Sequence, residues 1–150
     1  MVLRDLQQRI ESNLFKRKAI ILLGARQVGK TTLIHQIAGS QQLESLFLNC
    51  DEPEPRHLLS DTNVLKLKQL IGTAKLVLID EAQRVKNIGL TLKLIIDHIP
   101  DAQVIATGSS SLEIANDINE PLTGRKYEYC IYAFSTNELV EHTDFLLRKS

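Results

Sequence analysis

The sequence predicts a three-layer α/β domain, a five-stranded parallel sheet flanked by helices, and three observations carry that prediction. Apolar bursts alternate with helical patterns along the whole chain, which is the signature of β-α units. The first burst meets the first such helix in a turn holding two glycines, a lysine and two threonines, "LLGARQVGKTTL". And 150 residues at 43% hydrophobic composition suffice for one packed core, so residues 1–150 read as one domain.

In chain order, Leu3, Leu6, Ile10 and Leu14 fall at helical spacing and open the chain with an amphipathic segment. "AIILL" is the first strand, and the helix after it runs from Lys30 to about Ala38, with Gly39 as its stop. The alternation then repeats four times: "LFLN" with a helix over 55–71, "LVLID" with 88–99, "QVIAT" with 111–118, and "YEYCIYAF" with 136–147. Pro100 stands where the helix over 88–99 should end, while Ser110 with Glu113 and Ser135 with Glu138 have capping-box spacing. "KRK" at Lys16–Lys18 reads as a solvated loop.

Charge and cysteine content narrow the function classes. Lys+Arg and Asp+Glu each total 18, so the summed field gives no support to nucleic acid or an acidic membrane as partner. Cys50 and Cys130 lie in apolar strand-like contexts without CxxC spacing, which indicates neither a zinc site nor a disulfide framework and suits a reducing cytoplasm. His35, His57, His98 and His142 are scattered without metal spacing. The N-terminus carries charges where a signal peptide needs an apolar core, and no apolar run approaches the ~20 residues that span a bilayer. The expected location is cytoplasmic.

Gly24, Gly29, Lys30 and Thr31 match G-x-x-x-x-G-K-[ST] between a strand and a helix, the context this phosphate cradle requires. Glycines let the backbone come close to an anion, so that N–H groups of Gly24, Ala25, Arg26, Gln27, Val28, Gly29, Lys30, Thr31 and Thr32 converge on phosphates at the positive end of the helix. Lys30 is expected on the β- and γ-phosphates, and the Thr31 hydroxyl on Mg²⁺. "KLVLIDEAQ" ends a buried strand in two acids. Asp80 is read as the second Mg²⁺ residue and Glu81 as the group that orients and deprotonates a water, which favours hydrolysis over a small-molecule kinase.

"GARQVGKT" and "LVLIDEAQ" resemble the Walker A and Walker B motifs of AAA-type P-loop ATPases with an additional catalytic glutamate. Together with "TGSSS" and "LTGRKYEYCIYAFSTNEL" they look like a prokaryotic ATP-binding family related to the archaeal ATPases. The resemblance implies ATP as nucleotide and a further C-terminal region beyond Ser150. It also implies that the "VIATGS" strand lies between the two Walker strands, ending in a sensor residue, Thr107 or Ser109. Gly124 and Arg125 match a "GR" whose arginine stabilises γ-phosphate charge in cis or from a neighbouring subunit; a surface arginine is the plain alternative. Gln83, after the paired acids, reads either as a residue that positions water or couples the site to a partner, or as an exposed turn residue, and it is not placed among the site residues. The expected activity is Mg-dependent ATP hydrolysis that drives or gates an effector, with a weak homo-oligomer and an effector domain or protein as partners. The competing readings are a non-enzymatic nucleotide-gated interaction module and a DNA-associated ATPase core.

Overall fold

The structure is a computed structural model that describes residues 2–25, 29–109, 121–131 and 148–149. The order of elements is α1 (Val2–Glu11), β1 (Ala19–Gly24), α2 (Lys30–Gln41), β2 (Ser45–Asn49), α3 (Pro53–Leu59) and α4 (Val64–Ile71). There follow β3 (Leu76–Asp80), a 3-10 turn (Ala82–Arg84), α5 (Ile88–His98), β4 (Gln103–Gly108), β5 (Lys126–Ile131) and β6 (Arg148–Lys149). The strands form one sheet in the order β2-β3-β4-β1-β5-β6. β1 to β5 are mutually parallel, as expected, and β4 lies between β3 and β1. The short β6, which the sequence does not announce, adds an antiparallel edge against Tyr129 and Cys130.

Successive strand residues point to opposite faces, and that alternation builds two cores from strands whose central residues are mostly apolar. Ile21, Leu23, Val77, Ile79, Val104 and Ala106 face one side and pack with Leu59, Leu67, Ile71, Leu92 and Ile95 of α3, α4 and α5. Ile20, Leu22, Leu76, Leu78, Ile105 and Tyr129 face the other and pack with Leu6, Ile10, Leu33, Ile34 and Ile37 of α1 and α2. A parallel sheet covered on both faces needs this composition. The Asn13 amide, just past α1, donates to the Tyr129 hydroxyl at 2.7 Å and fixes the opening helix to β5.

Several boundaries differ from expectation. α2 runs through Gly39 to Gln41 and stops at Gln42, which adopts the left-handed conformation (φ 54°) and so ends the helix as a glycine would. The single helix expected over 55–71 is two. Thr91 Oγ1 donates to the Leu59 carbonyl at 2.8 Å, Asp61 sits at φ 50°, and the Asn63 side chain accepts from Lys66 N at 2.9 Å, starting α4 afresh. Pro100 does follow the end of α5. "KRK" is a loop with Lys16 and Arg17 exposed, as expected, and two of its side chains also make contacts: Arg17 Nη2 donates to the Ile96 carbonyl in the last turn of α5 at 3.1 Å, and Lys18 Nζ lies 4.9 Å from the Tyr127 ring centroid. The helices over 111–118 and 136–147, with both capping boxes, lie outside the described residues.

Candidate nucleotide-binding site

Parallel strands place their C-terminal ends along one edge of the sheet, and the loops that follow gather there. β1 ends at Gly24, and Gly29 (φ 91°) enters α2 through a left-handed turn that glycine adopts without strain. The N-terminal end of α2, with its partial positive charge, faces this edge. Arg26, Gln27 and Val28 lie outside the described residues; Ala25 and Thr32 are exposed.

Lys30, the first residue of α2, is only 4% exposed. A buried ammonium needs its donors satisfied, and Nζ donates to the Gly24 carbonyl at 2.5 Å and the Gly108 carbonyl at 2.8 Å. Those carbonyls end β1 and β4, so the lysine bridges two neighbouring strands where the phosphate loop begins. One residue on, Thr31 Oγ1 donates to Asp80 Oδ2 at 2.8 Å. Two hard oxygens, one from a helix start and one from a strand end, meet there. Such a donor set fits Mg²⁺, which takes one or two protein oxygens and completes its octahedron with water and phosphate.

Thr107 is fully buried near the end of β4 and bonds the Asp80 carboxylate and the backbone of Glu81, the residue after β3. Its hydroxyl donates to Asp80 Oδ1 and accepts from Glu81 N at 3.2 Å. Of the two sensor candidates, Thr107 is thus in contact with the acidic pair, while Ser109 meets it through Gln83. Glu81 sits at φ 55°, ψ 47°, a left-handed conformation that costs a side-chain-bearing residue about 1–3 kcal/mol. It breaks the chain from the line of β3 into the 3-10 turn. Gln83 in that turn donates from Nε2 to Glu81 Oε1 at 2.8 Å and accepts at Oε1 from Ser109 N at 3.3 Å. The sequence offers Gln83 as a water-positioning, coupling or exposed turn residue without choosing among them; its bond to Ser109 depends on the β3–β4 pairing.

Beside the acids, Cys50 N donates to the Asp80 carbonyl at 2.9 Å. Burial, with the Asp80 charge nearby, pushes the Cys50 thiol up to about 12. Farther off, His35 packs on Phe47, with ring centroids 4.5 Å apart, and His57 and His98 are exposed. His142 lies outside the described residues.

Arg125 corrects the cis expectation. It directly precedes β5, whose Lys126 pairs with Ala19 at the start of β1, and its carbonyl accepts from Ala19 N at 2.9 Å. That is the opposite edge of the sheet from Gly24, five residues or about 16 Å away along β1. There Arg125 Nη2 forms an ion pair with Asp97 in the last turns of α5. The guanidinium is thus paired at the end of the sheet opposite to Gly24 and Lys30.

The chain matches the AAA domain family over residues 16–140. It belongs to that family. This AAA domain is 31% identical over 123 residues to an uncharacterized protein of Mycobacterium tuberculosis and to its counterpart in Mycobacterium bovis. The alignment takes in 81% of the chain but 26% of each relative, so the chain spans about a quarter of their length. Its fold is similar to the Walker-type ATPase Paby2304 of Pyrococcus abyssi, with TM-score 0.59 and 18% identity over 91% of the chain and 55% of that protein. It is also similar to the Thermotoga maritima Holliday junction branch migration motor RuvB, with TM-score 0.60 and 20% identity over 93% of the chain and 47% of that protein. The domain is an AAA-type P-loop ATPase core. Among the described residues no helix is long and apolar enough to cross a membrane.

Proposed function

We propose that this AAA domain binds Mg²⁺ATP on the loop between β1 and α2 and hydrolyses it, the cycle driving or gating an effector region or partner protein. The observation that carries the reading is the convergence of Lys30, Thr31, Asp80, Glu81 and Thr107 on one edge of the sheet, from a helix start and two strand ends. Backbone N–H groups from Gly24 to Thr32 would cradle the phosphates, with Lys30 moving from strand carbonyls to phosphate oxygens, a stronger acceptor for an ammonium. Thr31 and Asp80 would hold Mg²⁺, which supplies charge neutralisation on the phosphates. Glu81 would take the proton of the attacking water, and Thr107 would keep both acids in place. Arg125 would reach a γ-phosphate only across a contact between subunits.

Phosphate release by the purified protein with Mg²⁺ATP tests the reading. Saturable release that needs Mg²⁺ is expected. Tight nucleotide binding with no release over many hours would favour the non-enzymatic nucleotide-gated module instead.

A further inference from the structure

We infer that Gln83 is a positioning residue that holds the Glu81 carboxylate and couples it to the end of β4, the strand that also contacts Lys30 and Asp80; the inference rests on the proposed role of Glu81. The amide of Gln83 is used on both sides. A carboxylate only accepts and a backbone N–H only donates, so Nε2 must face Glu81 and Oε1 must face Ser109, and the two bonds at 2.8 and 3.3 Å fix the amide orientation between them. A glutamate at this position would lack the donor, and an aliphatic residue would lack both functions. The turn that carries Gln83 is itself pinned, by Arg84 N on the Glu81 carbonyl at 3.1 Å and Val85 N on the Ala82 carbonyl at 3.0 Å.

These bonds close a circuit. Three consecutive residues at the end of β4 touch the site: Thr107 on Asp80 and on Glu81 N, the Gly108 carbonyl on Lys30 Nζ, and Ser109 N on Gln83. The backbone of Glu81 is therefore referred to β4 through Thr107, and its carboxylate through Gln83. When Lys30 is drawn toward a phosphate, the tie on Gly108 changes, and Gln83 carries a shift of the β4 end to the carboxylate. A neutral amide suits this task because it orients the base without competing for the proton.

A double-mutant cycle tests it: parent, Gln83→Ala, Glu81→Gln and the double variant, each assayed for Mg²⁺ATP affinity and for single-turnover hydrolysis. The expected result is an affinity within about threefold of the parent for Gln83→Ala, with hydrolysis lower by about tenfold or more, the scale of one hydrogen bond to a charged group. In the Glu81→Gln background the alanine should remove nothing further, because the group it orients is already inert. Parent-rate hydrolysis by Gln83→Ala beside an inactive Glu81→Gln overturns the positioning role alone. So does the same fractional loss in both backgrounds, and so does a loss confined to nucleotide affinity. Parent-rate hydrolysis by Glu81→Gln is a different failure: it removes the base reading itself, and the inference with it.

Discussion

Thr107→Val is the substitution that most sharply separates packing from polar organisation at this site. The two side chains are nearly the same shape, and Thr107 is completely buried, so valine fills the space. What it removes is one hydroxyl with two duties. It leaves Asp80 Oδ1 without this donor and Glu81 N without its acceptor at 3.2 Å. A hydrogen bond to a charged group contributes about 1.5–3 kcal/mol, and a buried N–H left unsatisfied costs about 1–3 kcal/mol. The longer N–H bond belongs at the low end, and Asp80 keeps its bond from Thr31. The expected loss is about 2–4 kcal/mol. Thr107→Ser is the control: it keeps the hydroxyl and gives up a methyl group, about 1 kcal/mol. Urea unfolding followed by circular dichroism measures both. With a slope of about 2 kcal/mol per molar, valine should lower the midpoint by about 1–2 M and serine by about half a molar. A valine variant as stable as the serine variant would refute the argument that Thr107 holds the acids by hydrogen bonding.

Three further outcomes follow from the same geometry. Asp80→Asn should make nucleotide affinity less dependent on Mg²⁺, since a neutral amide replaces the carboxylate that meets Thr31 at 2.8 Å; an unaltered dependence in paired titrations counts against Asp80 as the metal residue. Cys50 should contribute stability that is full below about pH 9 and falls as pH rises toward about 12, because the folded state keeps a proton that the unfolded thiol loses. The stability gap between parent and Cys50→Ala should then shrink by up to about 1.4 kcal/mol per pH unit, and a gap constant from pH 8 to 11 contradicts it. If Arg125 serves a neighbouring subunit, the rate per molecule should rise with protein concentration and Arg125→Ala should abolish the rise; a rate indifferent to both confines Arg125 to its pair with Asp97.

The parts of the fold set by local pattern were legible in the sequence. Five parallel strands, the glycine turn into α2 and the stop before Pro100 follow from runs, spacing and punctuation of neighbouring residues. The break after Leu59 had a signal in "SDTN", a cluster of turn and cap formers, but the apolar pattern of 55–71 concealed it. Gly39 misled because Gln42, without a glycine's freedom, takes the left-handed stop. The resemblance implies β4 between β1 and β3, but the side-chain and loop contacts that strand pairing creates were not legible. Arg125 stands beside the start of β1, and Gln83 meets Ser109, only because the sheet order places those strands together. A motif names which residue types a phosphate site needs. It does not say at which edge of the sheet an arginine 95 residues beyond Lys30 will lie.

The most direct test of the account is the effect of Glu81→Gln on binding and turnover, measured side by side. The change preserves side-chain size and removes basicity from a residue 8% exposed, held at a left-handed turn beside Asp80. Mg²⁺ATP affinity should stay within a few-fold of the parent while phosphate release falls by about 10² or more, the scale of losing a general base. Release at the parent rate, with affinity intact, would contradict the account and leave Glu81 as a structural turn residue.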